Sequence, residues 1–264
     1  MHWDLRYKGY IKTPLLWTDE LFGIQQYDVI ESNNIGFIFQ NKKIRLGLLV
    51  EQFVFMSLKA ITDITVLASN IQVIEEKRTI GELDCLIIDH KQAIHLELVY
   101  KFYLYDPKIS GSEIDKWIGP NRKDSLRKKL NKLKSNQMPL LDHPKTKEII
   151  KELGYDSDLF IQKSHFKGQL FLPFDFTSMN LDLLNKACIY GYYITLKQLV
   201  YFNKSSFYIP SKLDWLIEPN DNVSWMNIDD FTPLLMLTLN DSRSPMCWIK
   251  DENSKIQKFF IVFW

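Results

Sequence analysis

Two short apolar segments constrain this chain more than any other feature. The first is Gly81-Glu82-Leu83-Asp84-Cys85-Leu86-Ile87-Ile88 and the second is His95-Leu96-Glu97-Leu98-Val99-Tyr100-Lys101, separated by the polar run Asp89-His90-Lys91-Gln92. Both are rich in Leu, Ile, Val and aromatics, and the polar run between them marks a turn, so they read as an antiparallel hairpin. A turn centred between His90 and Lys91 sets Ile88 opposite Ala93 and Asp84 opposite Glu97. Directly opposed residues hold their Cβ atoms roughly 4.5–5.5 Å apart. Two carboxylates side by side on a mostly apolar sheet destabilise it unless positive charge joins them. A divalent cation supplies that charge, and hard oxygen donors suit Mg²⁺ or Mn²⁺.

The second strand extends further. Ile94, Leu96, Leu98, Tyr100, Phe102 and Leu104 form one apolar face, while His95, Glu97, Val99, Lys101 and Tyr103 alternate with them. This period of two places every polar group of the strand on the face shared with Asp84.

Composition narrows the setting. The 264 residues are 46% hydrophobic, 25% charged and 14% aromatic, ordinary for a globular chain except for the aromatics. The formal net charge of +1 excludes a generic polyanion binder, so any affinity for nucleic acid must come from a local patch. Cys85, Cys188 and Cys247 are widely spaced and include no CxxC, which points to buried thiols in a reducing compartment. No run reaches the roughly 18 uninterrupted apolar residues of a membrane span. A cytoplasmic location and no membrane partner are expected.

Along the chain, residues 1–45 read as an irregular lead-in with one short strand near Gly36–Gln40. Leu46 to Ile61 is apolar nearly all round and reads as a buried helix carrying one acid, Glu51. A strand over Asn70–Lys77 precedes the hairpin. After a loop over Asp106–Asp115, a helical region is expected from Pro120, with Leu126, Leu130 and Leu133 at helical spacing. From Arg122 to Lys134 it carries seven basic residues and one acid, Asp124. A further helix spans Lys145–Leu153 and stops at Gly154, and a strand follows from His165 to Leu172. The remainder holds a short helix near Leu181–Ala187 and strands near Tyr192–Phe202, Leu234–Leu239, Cys247–Lys250 and Phe259–Trp264. The last two are expected to pair across Asp251-Glu252-Asn253.

The order helix-strand-strand-strand-helix-strand, with Gly81-Glu82-Leu83-Asp84, Glu97 and Lys101, resembles the PD-(D/E)xK or restriction-endonuclease-like superfamily. Over most of its length the chain more closely resembles a bacterial domain-of-unknown-function family, number 1853. Leu46-Gly47…Glu51, Gly81-Glu82-Leu83-Asp84, His95-Leu96-Glu97-Leu98, Lys101-Phe102-Tyr103-Leu104 and Trp117-Ile118-Gly119-Pro120-Asn121-Arg122 look like its motifs. The fold these resemblances imply is α/β: a restriction-endonuclease-like core of order αβββαβ, its mixed central sheet flanked by helices. That core occupies about 41–175 within an N-terminal region 1–175, and 176–264 form a mixed C-terminal extension packed on it.

The implied activity is Mg²⁺- or Mn²⁺-dependent phosphodiester hydrolysis of nucleic acid, with DNA favoured over RNA. Asp84 and Glu97 would hold the metal, Glu51 would complete its shell, and Lys101 would orient or deprotonate the attacking water. Glu82 is a secondary candidate for the shell. His95 reads more readily as a sheet-face histidine than as a ligand. Arg122, Lys123, Arg127, Lys128, Lys129 and Lys132 would track phosphates, or else mark a solvated face.

The superfamily spaces its acid and lysine two residues apart, whereas Glu97 and Lys101 are four apart and Val99 stands between. Lys101 then lies about 13 Å along the backbone from Glu97. It is either a catalytic lysine in a shifted site or a counter-ion. The latter leaves a nuclease-fold protein that binds nucleic acid without cutting it, or an interaction scaffold. The sequence fixes no oligomeric state.

Overall fold

In the computed structural model, which describes residues 2–30, 44–176 and 181–264, the chain begins with a helix rather than an irregular lead-in. Its elements run α1 (Trp3–Lys12), β1 (Glu20–Leu21), β2 (Ile24–Gln26), α2 (Leu46–Ala60), β3 (Ile64–Glu75), β4 (Arg78–Asp89), β5 (Gln92–Tyr105) and β6 (Trp117–Ile118). They continue with α3 (Leu126–Lys132), α4 (Pro144–Glu152), β7 (Phe160–Pro173), β8 (Ile189–Thr195), β9 (Ser206–Tyr208), α5 (Ile228–Asn240), β10 (Met246–Lys250) and β11 (Ile256–Val262). The fold is mixed α/β. The strand expected near Gly36–Gln40 lies outside the described residues. The chain folds as two compact units, one of residues 15–100 and 128–167, the other of residues 1–14, 101–127 and 168–264.

In the first unit, two tight hairpins build the sheet. Glu76 and Lys77 at the β3–β4 turn, and His90 and Lys91 at the β4–β5 turn, all take positive φ. Two consecutive left-handed residues are the mark of a type I′ turn, whose twist matches that of the paired strands. The β4–β5 register is Ile88 with Ala93, Ile87 with Ile94, Leu86 with His95 and Cys85 with Leu96, as the turn position requires. Strand order is β3-β4-β5-β7, and β2 adds to β7 in parallel through Gln25–Lys163 and Gln26–Ser164. β5 is flanked by β4 and β7 at its two edges, and its His95 and Glu97 side chains are fully buried.

Helix α2 covers part of this sheet with Leu46, Leu49, Val50, Phe53, Val54 and Leu58. It buries one face only, for Leu48 on the other is exposed. Helix α4 is capped by the His143 ring, whose Nδ1 accepts the Lys145 amide, and ends before Gly154 at φ +86°. Its Ile150 joins Leu86, Ala93, Leu141 and Phe160 in the core.

In the second unit, β8 is parallel to both β7 and β11, while β10 is antiparallel to β11 and β9. The expected β10–β11 hairpin is present. Leu234–Leu239, expected as a strand, belongs to α5. Its buried residues Phe231, Leu235 and Leu239 recur every four positions, and the Asn227 side chain caps the Asp230 amide. The expected helix at Leu181–Ala187 is replaced by a single 3-10 turn at Lys186–Cys188. The strand expected to reach Phe202 stops at Thr195, which forms a capping box with Gln198 and starts a 3-10 segment. Trp117-Ile118 pairs with β5 instead of opening a helix at Pro120, and α3 begins only at Leu126. All three cysteines are buried, and none of them forms a disulfide.

Two glycines separate packing from conformation. A Cβ on Gly9 of α1 would lie 1.9 Å from the Leu216 carbonyl oxygen, whereas one on Gly47 of α2 meets nothing within 4 Å. Gly9→Ala is expected to cost roughly 1–3 kcal/mol or more as overpacking against backbone. Gly47→Ala is expected to be neutral or stabilising, by up to about 1 kcal/mol. Urea midpoints of the two variants check this contrast.

Candidate functional site

The β4–β5 ladder ends at Cys85–Leu96. Asp84 and Glu97 are next in the same register, and here a side chain replaces the backbone ladder. The Leu98 amide donates to Asp84 Oδ2 at 2.8 Å, which draws that carboxylate along β5 beside Glu97. Burial pushes the Asp84 carboxyl up to about 8, and the charge of Glu97 adds to it, followed by that of Glu51. The Leu98 amide and the Lys129 ammonium oppose the rise. Glu51 on α2 is likewise raised, first by burial and then by Glu82 and Glu97. Asp84 thus feels the charges of Glu97 and Glu51, and Glu51 those of Glu82 and Glu97.

Glu97 is held at both oxygens although none of its surface is exposed. His95 Nε2 lies 3.1 Å from Oε1, and Gln137 Nε2 donates to Oε2. Lys129 Nζ donates to Gln137 Oε1 at 2.8 Å. His95 Nδ1 is buried with no hydrogen-bond partner. Gln137 ends a π-helical turn, Leu133–Gln137, in which the Met138 amide bonds back to the Leu133 carbonyl. Sequence reasoning missed Gln137, because no side-chain pattern announces the extra residue of a π turn. His95 sits on the sheet as expected, but as a direct partner of Glu97.

Lys101 lies in the other compact unit, and its Nζ donates to Asp124 Oδ2 at 2.7 Å. Asp124, the only acid of the basic run, also accepts the Ser125 amide through Oδ1. Of the counter-ion and catalytic readings left open by the sequence, the first thus acquires a partner, and it is Asp124.

The basic run is not a uniform face. Arg122 pairs with Asp106 at 2.9 Å and stacks over the Trp264 ring. Arg127 binds Asp115 and Ser112, Lys129 binds Gln137, and Lys134 donates to the Phe22 carbonyl. Lys123, Lys128 and Lys132 are exposed, the last two one helical turn apart on α3. Trp117 is fully buried. His165 is buried too, its Nδ1 on the Tyr27 carbonyl, and burial with the nearby Lys167 charge lowers its pKa to about 3.

Among the described residues, no cluster of three or more His, Cys, Asp or Glu side chains is arranged to hold a metal by itself. Mg²⁺ does not require one. It keeps several waters and is commonly held by one or two carboxylates together with substrate phosphates. Asp84 and Glu97 are hard oxygen donors, the donor type such a cation takes. No helix among the described residues is long and apolar enough to cross a membrane.

The family model described as "Domain of unknown function (DUF1853)" matches residues 23–262. No curated protein and no solved structure matches the chain.

Proposed function

The chain belongs to the domain-of-unknown-function family DUF1853, and we propose that it is a Mg²⁺- or Mn²⁺-dependent phosphodiesterase acting on nucleic acid, DNA before RNA, through a PD-(D/E)xK-like site. One observation carries the reading. Burial and the charges of Glu97 and Glu51 together raise Asp84, and burial with Glu82 and Glu97 raises Glu51, while the Lys129 ammonium opposes the rise at Asp84. Such an arrangement is costly unless a cation joins it. The superfamily assignment draws support from the order α2, β3, β4, β5, α3, α4, β7 and the sheet order β3-β4-β5-β7.

A cation bound there would polarise the phosphate and lower the pKa of a bound water. Asp84 and Glu97 would hold it directly, with Glu51 reaching its shell through a water. His95 and Gln137 fix the Glu97 carboxylate in one orientation. Cleavage of labelled single- and double-stranded DNA and RNA with Mg²⁺ or Mn²⁺ tests the proposal. Wild-type protein should cut, and Asp84→Ala should not. Robust cutting by Asp84→Ala overturns the reading.

The Lys101–Asp124 pair favours a second reading, binding without cleavage, because it gives that lysine a structural partner. Wild-type protein that binds nucleic acid in a salt-dependent way yet never cuts would select it. In either case Lys128 and Lys132 are exposed along one face of α3. Their joint replacement by Gln should reduce the slope of log K against log salt on duplex DNA by about two, at about 0.9 per phosphate contact. An unchanged slope removes α3 from the interface.

A further inference from the structure

Glu97 is held through an amide that can face only one way. Lysine has donors only and an ionised carboxylate has acceptors only, whereas a glutamine amide offers one side of each kind. With Lys129 Nζ on one side and Glu97 on the other, Gln137 must turn Oε1 to the lysine and Nε2 to the carboxylate. The π turn delivers this amide to its place, since the extra residue rotates Gln137 relative to α-helical register. We propose that Gln137, oriented by Lys129, is the positioning residue of the acid pair. This rests on reading Asp84 and Glu97 as a divalent-cation site.

Three observations converge on the assignment. Both Glu97 oxygens are already directed, by His95 and by Gln137, so the orientation left for a cation is set by these two donors. Lys129 also acts on the second acid, for its charge opposes the rise at Asp84. Lys101, in contrast, has its own carboxylate in Asp124. Partners of a ligating carboxylate typically contribute 10- to 100-fold to metal affinity when removed.

The test is a titration of the full chain with Mn²⁺, following the electron paramagnetic resonance signal of free aqueous Mn²⁺. Gln137→Met keeps the size of the side chain and removes the donor, and should weaken Mn²⁺ binding about 10- to 100-fold. Lys129→Met frees the amide to reverse and should weaken binding in the same direction. Lys129→Arg still donates and should restore it, and Lys101→Met should bind as wild type. If wild type takes up no Mn²⁺, the cation-site reading fails and the inference with it. If wild type binds while Gln137→Met and Lys129→Met bind equally well, the inference alone is overturned. Tighter binding by Lys129→Met, or no rescue by Lys129→Arg, also overturns it, since either would assign Lys129 to charge compensation alone. Should Gln137→Met fail to fold, the three lysine variants decide the matter.

Discussion

Asp84→Asn is expected to abolish divalent-cation-dependent cleavage while making the metal-free protein more stable, by on the order of 1–3 kcal/mol near pH 8. The carboxyl is pushed up to about 8 by burial, by Glu97 and by Glu51. Between the ordinary carboxylate range, near 4, and that value, the folded protein holds a proton that the unfolded chain has released. Stability contributed at this position therefore falls as pH rises through the window. Asparagine carries no titratable proton, and its Oδ1 can still accept the Leu98 amide that Asp84 accepts now. The gain over wild type should be small near pH 4–5 and grow towards pH 8. Denaturant unfolding in chelator at both ends of the window measures this, and a gain that shrinks with rising pH would refute it.

The hairpin that carries Asp84 and Glu97 was legible because three local signals agree. Apolar residues alternate along β5, the polar run 89–92 is as short as a two-residue turn allows, and a turn between His90 and Lys91 leaves one register. Helix α4 was legible for similar reasons, with a proline at its start and Gly154 at its end. Helix α5 was misread because its repeat begins at Phe231, upstream of the apolar run Leu234–Leu239 that looks like a strand by itself. Helix α1 was missed because its buried face includes Arg6 and Gly9 besides two tyrosines, so no apolar stripe marks it.

At the candidate site, the acids stood out because carboxylates are scarce in apolar strands. The Gln137–Lys129 pair did not. Gln137 is 40 residues from Glu97 in sequence, and the π turn that aims it leaves no trace in hydrophobic spacing. Asp124 was visible as the lone acid of a basic run, but its pairing with Lys101 depends on tertiary placement.

Glu97→Ala should abolish the same activity with the opposite effect on the fold, costing roughly 1–3 kcal/mol. Glu97 is fully buried, and its removal leaves the His95 Nε2 and Gln137 Nε2 donors without an acceptor. Glu97→Gln should cost less, yet not be neutral. The new amide offers one oxygen where two donors converge, and Lys129 keeps Gln137 from turning to accommodate it. His95 could meet the new NH₂ only by moving its proton to Nδ1, a buried atom with no partner to receive it. Pairing Glu97→Ala with Gln137→Met should cost less than the two changes summed, with a coupling of about 0.5–3 kcal/mol, because the second removes a donor that the first stranded. Two acids of one site whose removal moves stability in opposite directions cannot lose activity through a common folding defect. A measured coupling near zero would mean that Gln137 does not hold Glu97, whatever the activities of the single variants.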